Sequence, residues 1–456
     1  MNRKEFISSI TAATGAMAIS GVSTKIEAAE KAQRRGKGVP KDGFAELRHE
    51  ARWRIRRVIC NNDGNDDICS AGETVSRELF LAKRTMGLVG THVDTVCYCG
   101  GATFTSVGAK DPNRFVQQRM GKNLFADKMD AMGFDPLKVQ LDFCHQHDIE
   151  FFWSHRMNDN HDSTRPQLVT PFKKAHPELL VGRDGPMKMR CGDICFDYTL
   201  PQVRAMATEA ILSIASLYDV DGIDLDFFRH PAFFRSQFMG LEVSDEERGM
   251  MTDMIRDIRR GLDSVGKRRG KPILLCVSVP DSVGFSRAIG LDWPQWASED
   301  LIDILVGADY LKFEPWANFA SKARELGLPC YARMEQRRLV LMDSSLSSHS
   351  APEAELNDAT EQLWRDEAYA AWISGMNGIY TYNRFDPMSD LFTTVGDPYR
   401  LAALGAKPRE SYGIAKGGYN CPDFWLSGGS KYMRIPDNPV YSLPCRFPYS
   451  ESLPAE

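Results

Sequence analysis

The sequence predicts an α/β protein, a (β/α)8 TIM barrel with a short irregular C-terminal extension. Two observations carry that expectation. Eight short β-rich runs alternate with longer amphipathic stretches, which argues for parallel strands joined by helical crossovers, and eight strands close a barrel. Polar residues also gather where many runs end, at Asn61-Asn62-Asp63, His155, Asp226, Ser278, Glu335 and Asn383. In a barrel those ends surround one opening. An open doubly wound sheet is the competitor, but no G-x-G-x-x-G or P-loop follows any early run.

Residues 1–30 read as an export segment. A basic start (Met1-Asn2-Arg3-Lys4) precedes Phe6-Ile7, a mildly apolar run from Ile10 to Val22, and small residues at Ala28-Ala29 suited to cleavage. The layout resembles a twin-arginine signal with Lys4 in place of the second arginine, which implies a periplasmic or extracellular location. Residues 31–50 read as a linker and leading helix, the polar, basic part running from Lys31 to Asp42. The barrel is expected over 51–395. Its strands are Arg57 to Asp63, His92 to Tyr98, Ile149 to His155, Gly222 to Asp226, Pro272 to Ser278, Ile302 to Val306, Pro329 to Glu335 and Gly378 to Asn383. Helical periodicity marks Pro136 to His147, Leu200 to Tyr218 and about Asn357 to Ser374. From 396 to 456 Gly, Pro, Tyr and Ser dominate, predicting an irregular or β-rich cover on the barrel.

A net charge of −5 gives no reason to expect a nucleic-acid partner. The cluster Lys267-Arg268-Arg269 reads more simply as a solvated helix end. After the export segment no stretch approaches the ~18–20 apolar residues of a membrane span. Eleven cysteines, scattered and odd in number, read as structural thiols with at most one disulfide. No motif calls for a cofactor, and neither H-x-H after the first strand nor H-E-x-x-H is present for a metal.

The fourth run carries the chemistry. Side chains alternate along a strand, so Gly222, Asp224 and Asp226 share one face and the apolar Ile223 and Leu225 the other. With the apolar pair against the helices, two carboxylates stack inside the barrel, Asp226 nearer the rim. Buried carboxylates are costly unless paired, so the alternatives are a functional site and a buried salt-bridge network. On the seventh run Tyr331, Arg333 and Glu335 share the inward face, which places Glu335 at the rim and Arg333 a layer deeper, neutralising Asp224. Asp309 and Glu314 after the sixth run are rivals for a second acid, and Asp281 a weaker one.

The segment from Asp221 to His230 resembles the fourth-strand signature of glycoside hydrolase barrels. Asp221, Gly222, Asp224 and Asp226 match the chitinase-type D-G-x-D-x-D-x-E, with Phe228 where that family has its proton-donating Glu. The α-amylase-type motif places Asp226 on the nucleophile and His230 on a substrate-binding His, with Asp224 replacing that family's Arg. The best resemblance is to a divergent group of glycosyl hydrolase-like barrels with D-G-[IV]-[DEH]-L-D-[FY]-x-R, covering roughly 350 residues in layout but about a dozen in motif. It implies a glycosidase acting on an oligo- or polysaccharide, with Asp226, Glu335 and Glu314, in that order, as catalytic candidates. Sugars are held by ring stacking and multiple polar contacts. Trp153, His155, Asn158, His230, Asp224, Arg333 and Asn383 are therefore the substrate-binding candidates, with Trp293, Trp296 and Trp316 as extensions. Trp364 and Trp372 read as core. A metal-dependent barrel hydrolase or lyase, and a carbohydrate-binding barrel without catalysis, are the alternatives.

Overall fold

Eight strands close on themselves in chain order, each parallel to both neighbours. The computed structural model describes residues 43–64, 74–99, 128, 131–159, 169, 171–181, 195–340, 353–412 and 421–435. The expected export segment and linker up to residue 42 lie outside the described residues, as do Cys69, Cys191 and Cys445. The strands are β1 (Val58–Asn62), β2 (Val93–Tyr98), β3 (Glu150–Arg156), β4 (Gly222–Asp226), β5 (Leu274–Val279), β6 (Ile304–Gly307), β7 (Cys330–Glu335) and β8 (Gly378–Tyr382). A leading helix α1 (Gly43–Arg52) precedes them. The crossovers carry α2 (Arg77–Arg84), α3 (Pro136–Gln146), α4 (Pro201–Leu217), α5 (Asp245–Arg269), α6 (Trp293–Ser298), α7 (Trp316–Glu325) and α8 (Glu353–Ile373). Loops after β1, β2, β3 and β7 include residues outside the described set.

Local chemistry explains the helix limits. Helix α5 opens on a capping box between Ser244 and Glu247, carries Asp245, Glu246 and Glu247 in its first turn, and ends with Lys267, Arg268 and Arg269. Acid at the start and base at the end complement the helix dipole, and Gly270 stops the helix in the left-handed conformation. The basic cluster seen in the sequence is therefore a helix end. Helix α3 starts on an Asp135 cap with Pro136 in its first turn.

Two apolar regions follow from the strand phases. Ile223, Leu225, Cys330, Ala332 and Met334 face outward into the main core beneath the helices, which also buries Trp293, Trp296, Trp316 and Trp364. Each large side chain buried there contributes roughly 1.5–3 kcal/mol. A second cluster fills the barrel interior, with Ile59, Cys97, Phe152, Leu274, Cys276, Ile304 and Tyr331 among its members. Gly222 permits that filling, because a Cβ there would lie 2.7 Å from the Phe152 ring. The eight described cysteines are buried and unbridged, as core thiols should be. No described helix is long and apolar enough to cross a membrane.

Charge closes the floor. Asp303, just ahead of β6 and fully buried, accepts from Arg48 (2.8 Å) and Arg52 (2.9 Å) of α1, Arg259 (3.0 Å) of α5 and the Leu275 amide (2.8 Å). Burial alone would raise its pKa, but the three guanidiniums hold it well below the ordinary carboxylate value. One step inside, Arg56 pairs with Glu150 at 2.6 Å, and Thr95 donates to the same carboxylate at 2.8 Å. Beyond β8 the described extension contains short helices at Pro398–Ala403 and Pro422–Trp425, with no strand among its described residues.

Substituting Asp303→Asn leaves three buried guanidiniums short of a counter-charge. Urea unfolding at neutral pH should show a loss of about 3–5 kcal/mol. A loss below about 1 kcal/mol would mean that this ion cluster does not hold the floor.

Candidate active site

The inward faces of β3, β4, β5, β7 and β8 build the upper interior in two polar layers. In register across the sheet, Ser154 pairs with Asp224 and Arg156 with Asp226, while Arg333 pairs with Tyr380 and Glu335 with Tyr382. In the lower layer Asp224 accepts hydrogen bonds from Ser154 (2.8 Å), Ser278 (3.1 Å) and Tyr380 (3.0 Å), and Asn61 donates to the Tyr380 hydroxyl at 3.0 Å. Burial, then the neighbouring charge of Asp226, pushes Asp224 up to about 6. The motif's first acid, Asp221, lies at the foot of β4, where it accepts from the Phe151 amide at 2.8 Å and pairs with His145 at 2.8 Å. Its place is structural.

The upper layer centres on Arg333, whose side chain is wholly buried. Its guanidinium donates to both oxygens of Asp226, at 2.8 Å and 3.2 Å, and contacts Asp309 Oδ2 at 3.0 Å. The Tyr382 ring packs 3.8 Å from the guanidinium carbon. Burial alone would lower the pKa of Arg333, but Asp226 and Asp309 reverse this and keep it firmly charged.

The two carboxylates that share this cation are treated unequally. Asp226 Oδ1 also accepts from the amides of Phe228 (3.1 Å) and Arg229 (2.9 Å), as the chain turns at the end of β4. Its two oxygens are thus met by four N–H donors. Asp309 follows Ala308, which holds a left-handed φ of 70°. Neither Asp309 oxygen has a hydrogen-bond partner among the described residues, and its only ion contact there is Arg333. Burial raises its pKa well above the ordinary value, Asp226 and Glu335 add to the rise, and Arg333 offsets only part of it. One guanidinium thus contacts two carboxyl groups, one hydrogen-bonded by four donors and one with no hydrogen-bond partner among the described residues.

Several sequence expectations meet here. Asp226, Arg333, Glu335 and Asn383 all lie at the opening, Asn383 donating to Glu335 at 3.2 Å from a left-handed φ of 54°. Arg333 neutralises Asp226 rather than Asp224, because its long side chain reaches one layer up. Glu335 also accepts from the Arg338 amide at 3.1 Å.

Other expectations are corrected. Strand β3 turns Phe152, Ser154 and Arg156 inward, so Trp153 and His155 face the helices, and Trp153 belongs to the outer core. Asn158 is buried as a staple, donating to the carbonyls of Phe196 (3.2 Å) and Ala232 (2.6 Å). His230 is buried 6.1 Å from the Trp425 ring of the extension. Glu314 is half-buried and accepts from Asn318, in the first turn of α7, at 3.2 Å, and the ion contacts of Arg333 among the described residues are with Asp226 and Asp309 instead. Asp281 accepts the Phe313 and Glu314 amides at 2.9 Å and braces that loop. Trp293, Trp296 and Trp316 are core residues, not subsite rings.

Tyr380, Tyr382, Ser154 and Arg156 are not among the sequence-based candidates, and Ser278 is noted there only as a polar strand end. The alternation in Gly378-Ile379-Tyr380-Thr381-Tyr382 was the available signal for the two tyrosines. Among the described residues no three His, Cys, Asp or Glu side chains converge as a metal-binding group, and the cation between the carboxylates is the guanidinium.

No family model and no curated protein sequence matches this chain. Among solved structures the chain is similar to α-L-fucosidase isoenzyme 2 from Paenibacillus thiaminolyticus, with 12% identity and a TM-score of 0.43 over 77% of this chain and 49% of that one. It therefore spans about half the length of that fucosidase. It is also similar to the PgaB (BpsB) glycoside hydrolase domain from Bordetella bronchiseptica, with 10% identity and a TM-score of 0.44 over 78% of this chain and all of that domain. A third similar structure is the chitinase RmChi1 from Rhizomucor miehei, with 11% identity and a TM-score of 0.39 over 76% and 99% of the two chains.

Two buried groups give opposite pH signatures. Burial lowers His155 from 6.5 to about 4, so its contribution to stability is complete above about pH 6.5 and is lost as the pH falls toward 4. Asp224, raised from 3.8 to about 6, costs nothing below pH 3.8 and destabilises increasingly as the pH rises through 6. In urea titrations across pH, His155→Gln should flatten the acid-side loss and Asp224→Asn should gain on the parent toward neutral pH, each by on the order of 3 kcal/mol. Parallel curves for either variant would remove that group from the account.

Proposed function

We propose that this barrel is a glycoside hydrolase in which Asp226 and Asp309 divide the work of the two carboxyl groups. The observation that carries the reading is their unequal claim on Arg333. A glycosidase needs one carboxylate and one carboxylic acid beside the same bond, and unequal surroundings of two carboxyl groups suit them to those roles. Asp226, hydrogen-bonded by Arg333 and two amides, stabilises or attacks the anomeric carbon as positive charge develops there. Asp309, kept protonated, gives its proton to the departing glycosidic oxygen. Glu335 stands as the alternative second acid, while the position of Glu314 argues against it.

The export-like start of the chain supports action outside the cytoplasm on an oligo- or polysaccharide. The site is assembled entirely from strand ends and the residues that follow them, which suits a rigid constellation. Tyr382 supports the same reading, since its buried hydroxyl has no hydrogen-bond partner among the described residues and a sugar hydroxyl would satisfy it.

A library of poly- and oligosaccharides, screened for released reducing ends, should yield at least one substrate. On that substrate Asp226→Asn and Asp309→Asn should each lower kcat by roughly 100- to 10,000-fold while circular dichroism stays unchanged. An Asp226→Asn protein that turns over normally would sink the assignment. A parent enzyme inert on every glycan would favour a binding barrel without catalysis.

A further inference from the structure

Arg338, in the short helix Gln336–Val340 that follows β7, bonds the main chain or side chain of three acids, Asp309, Glu335 and Glu367. Its guanidinium is buried and donates to the main-chain carbonyl of Asp309 at 2.8 Å and that of Arg333 at 3.1 Å. Those are the two residues whose side chains meet at 3.0 Å in the mouth. Its own amide donates to Glu335 at 3.1 Å. The remaining donor nitrogen bonds Glu367 of α8 at 2.6 Å and the Ser411 carbonyl at 3.0 Å, and it also reaches the Ser411 hydroxyl, which in turn bonds Glu367.

Ser411 belongs to the extension beyond the barrel, and that segment is itself anchored. Glu410 accepts from the buried Lys312 and from the Trp316 amide at 3.0 Å, and the Lys407 amide donates to Asp366 at 2.8 Å. Lys312 is also sandwiched by aromatic rings, 3.9 Å from Tyr412 and 4.7 Å from Trp316. The extension thus grips the loop after β6 through Lys312 and the acid-bearing backbone through Arg338. A planar guanidinium with three occupied edges fixes distances in a way that a flexible point charge does not.

We infer that Arg338 is a positioning residue through which the C-terminal segment around Ser411 holds Asp309 against Arg333. The inference rests on the Asp309 assignment above, and it adds that residues 406–412 are part of the working site, not an accessory cover. Asp309 follows a left-handed Ala308, and two bonds hold its main chain: its amide donates to the Leu311 carbonyl at 3.0 Å and its carbonyl accepts from Arg338 at 2.8 Å, so Arg338 helps to set its orientation. Releasing that carbonyl lets the carboxyl swing toward water, where its proton is held less tightly.

The test uses the full chain with Arg338→Lys, Ser411→Ala and the control Ser430→Ala, whose hydroxyl bonds only the exposed Asp423 in the extension. Two readouts are taken. One is kcat and KM against pH on the glycan found by screening. The other, independent of turnover, is the infrared carbonyl band of a protonated carboxyl followed against pH and assigned by its loss in Asp309→Asn. Arg338→Lys should lower kcat about 100-fold with KM within about twofold, and should move the Asp309 midpoint toward lower pH by at least about one unit. Ser411→Ala should do the same in smaller measure, about tenfold, and Ser430→Ala should do neither. A folded Arg338→Lys protein with parental kcat and an unmoved midpoint overturns the inference. If Arg338→Lys fails to fold, Ser411→Ala decides, and an unmoved midpoint there overturns it equally. If no glycan is cleaved, the hydrolase reading fails, while the infrared midpoints of the variants still support or refute the positioning role.

Discussion

A guanidinium with no exposed surface, placed in the middle of a barrel, must be neutralised where it stands. Taking such an ion out of water costs several kcal/mol even after relaxation, and only close counter-charges offset it. Arg333 meets that requirement with Asp226 from β4, and it also contacts Asp309 from beyond β6. The requirement ties three strands together across the barrel. It needs β4 and β7 in the phase that turns residues 226 and 333 inward, and it needs the chain after β6 to bend back through a left-handed Ala308. That backbone conformation costs of order 1–3 kcal/mol for a residue with a Cβ, so the surrounding bonds must impose it.

The floor and the mouth use the same residue types to opposite ends. Below, Asp303 is saturated by three guanidiniums and an amide, which makes it inert and stabilising. Above, Asp309 shares one guanidinium with a better-served competitor and has unfilled acceptor positions. Buried polar groups in folded proteins are nearly always satisfied, so an acid left short marks a candidate functional position. The difference lies in the ratio of donors to carboxylate oxygens at each end.

Strand order and strand limits were readable because the outward faces of β4 and β7 are purely apolar while the inward faces are charged. Strand β3 was not readable in this way. Glu-Phe-Phe-Trp-Ser-His-Arg carries an aromatic on either face, and a barrel strand is buried on both, so hydrophobic alternation cannot choose the phase. Choosing the rim-facing Trp and His gave the wrong face for Trp153 and His155. Asp309 and Glu314 could not be ranked because the deciding feature is the backbone turn at Ala308, which nothing in Gly307-Ala308-Asp309 announces. The bonds of Arg338 join residues 29 and 73 positions away, a separation that no local pattern reveals.

The leading helix has one geometric consequence. Helix α1 lies under the barrel, its Arg48 and Arg52 fastened to Asp303 at the floor. Gly43, at the start of that helix, therefore lies on the side opposite the C-terminal ends of the strands. The helix thus plugs the barrel from below, and the residues around Asp226 and Asp309 face away from it.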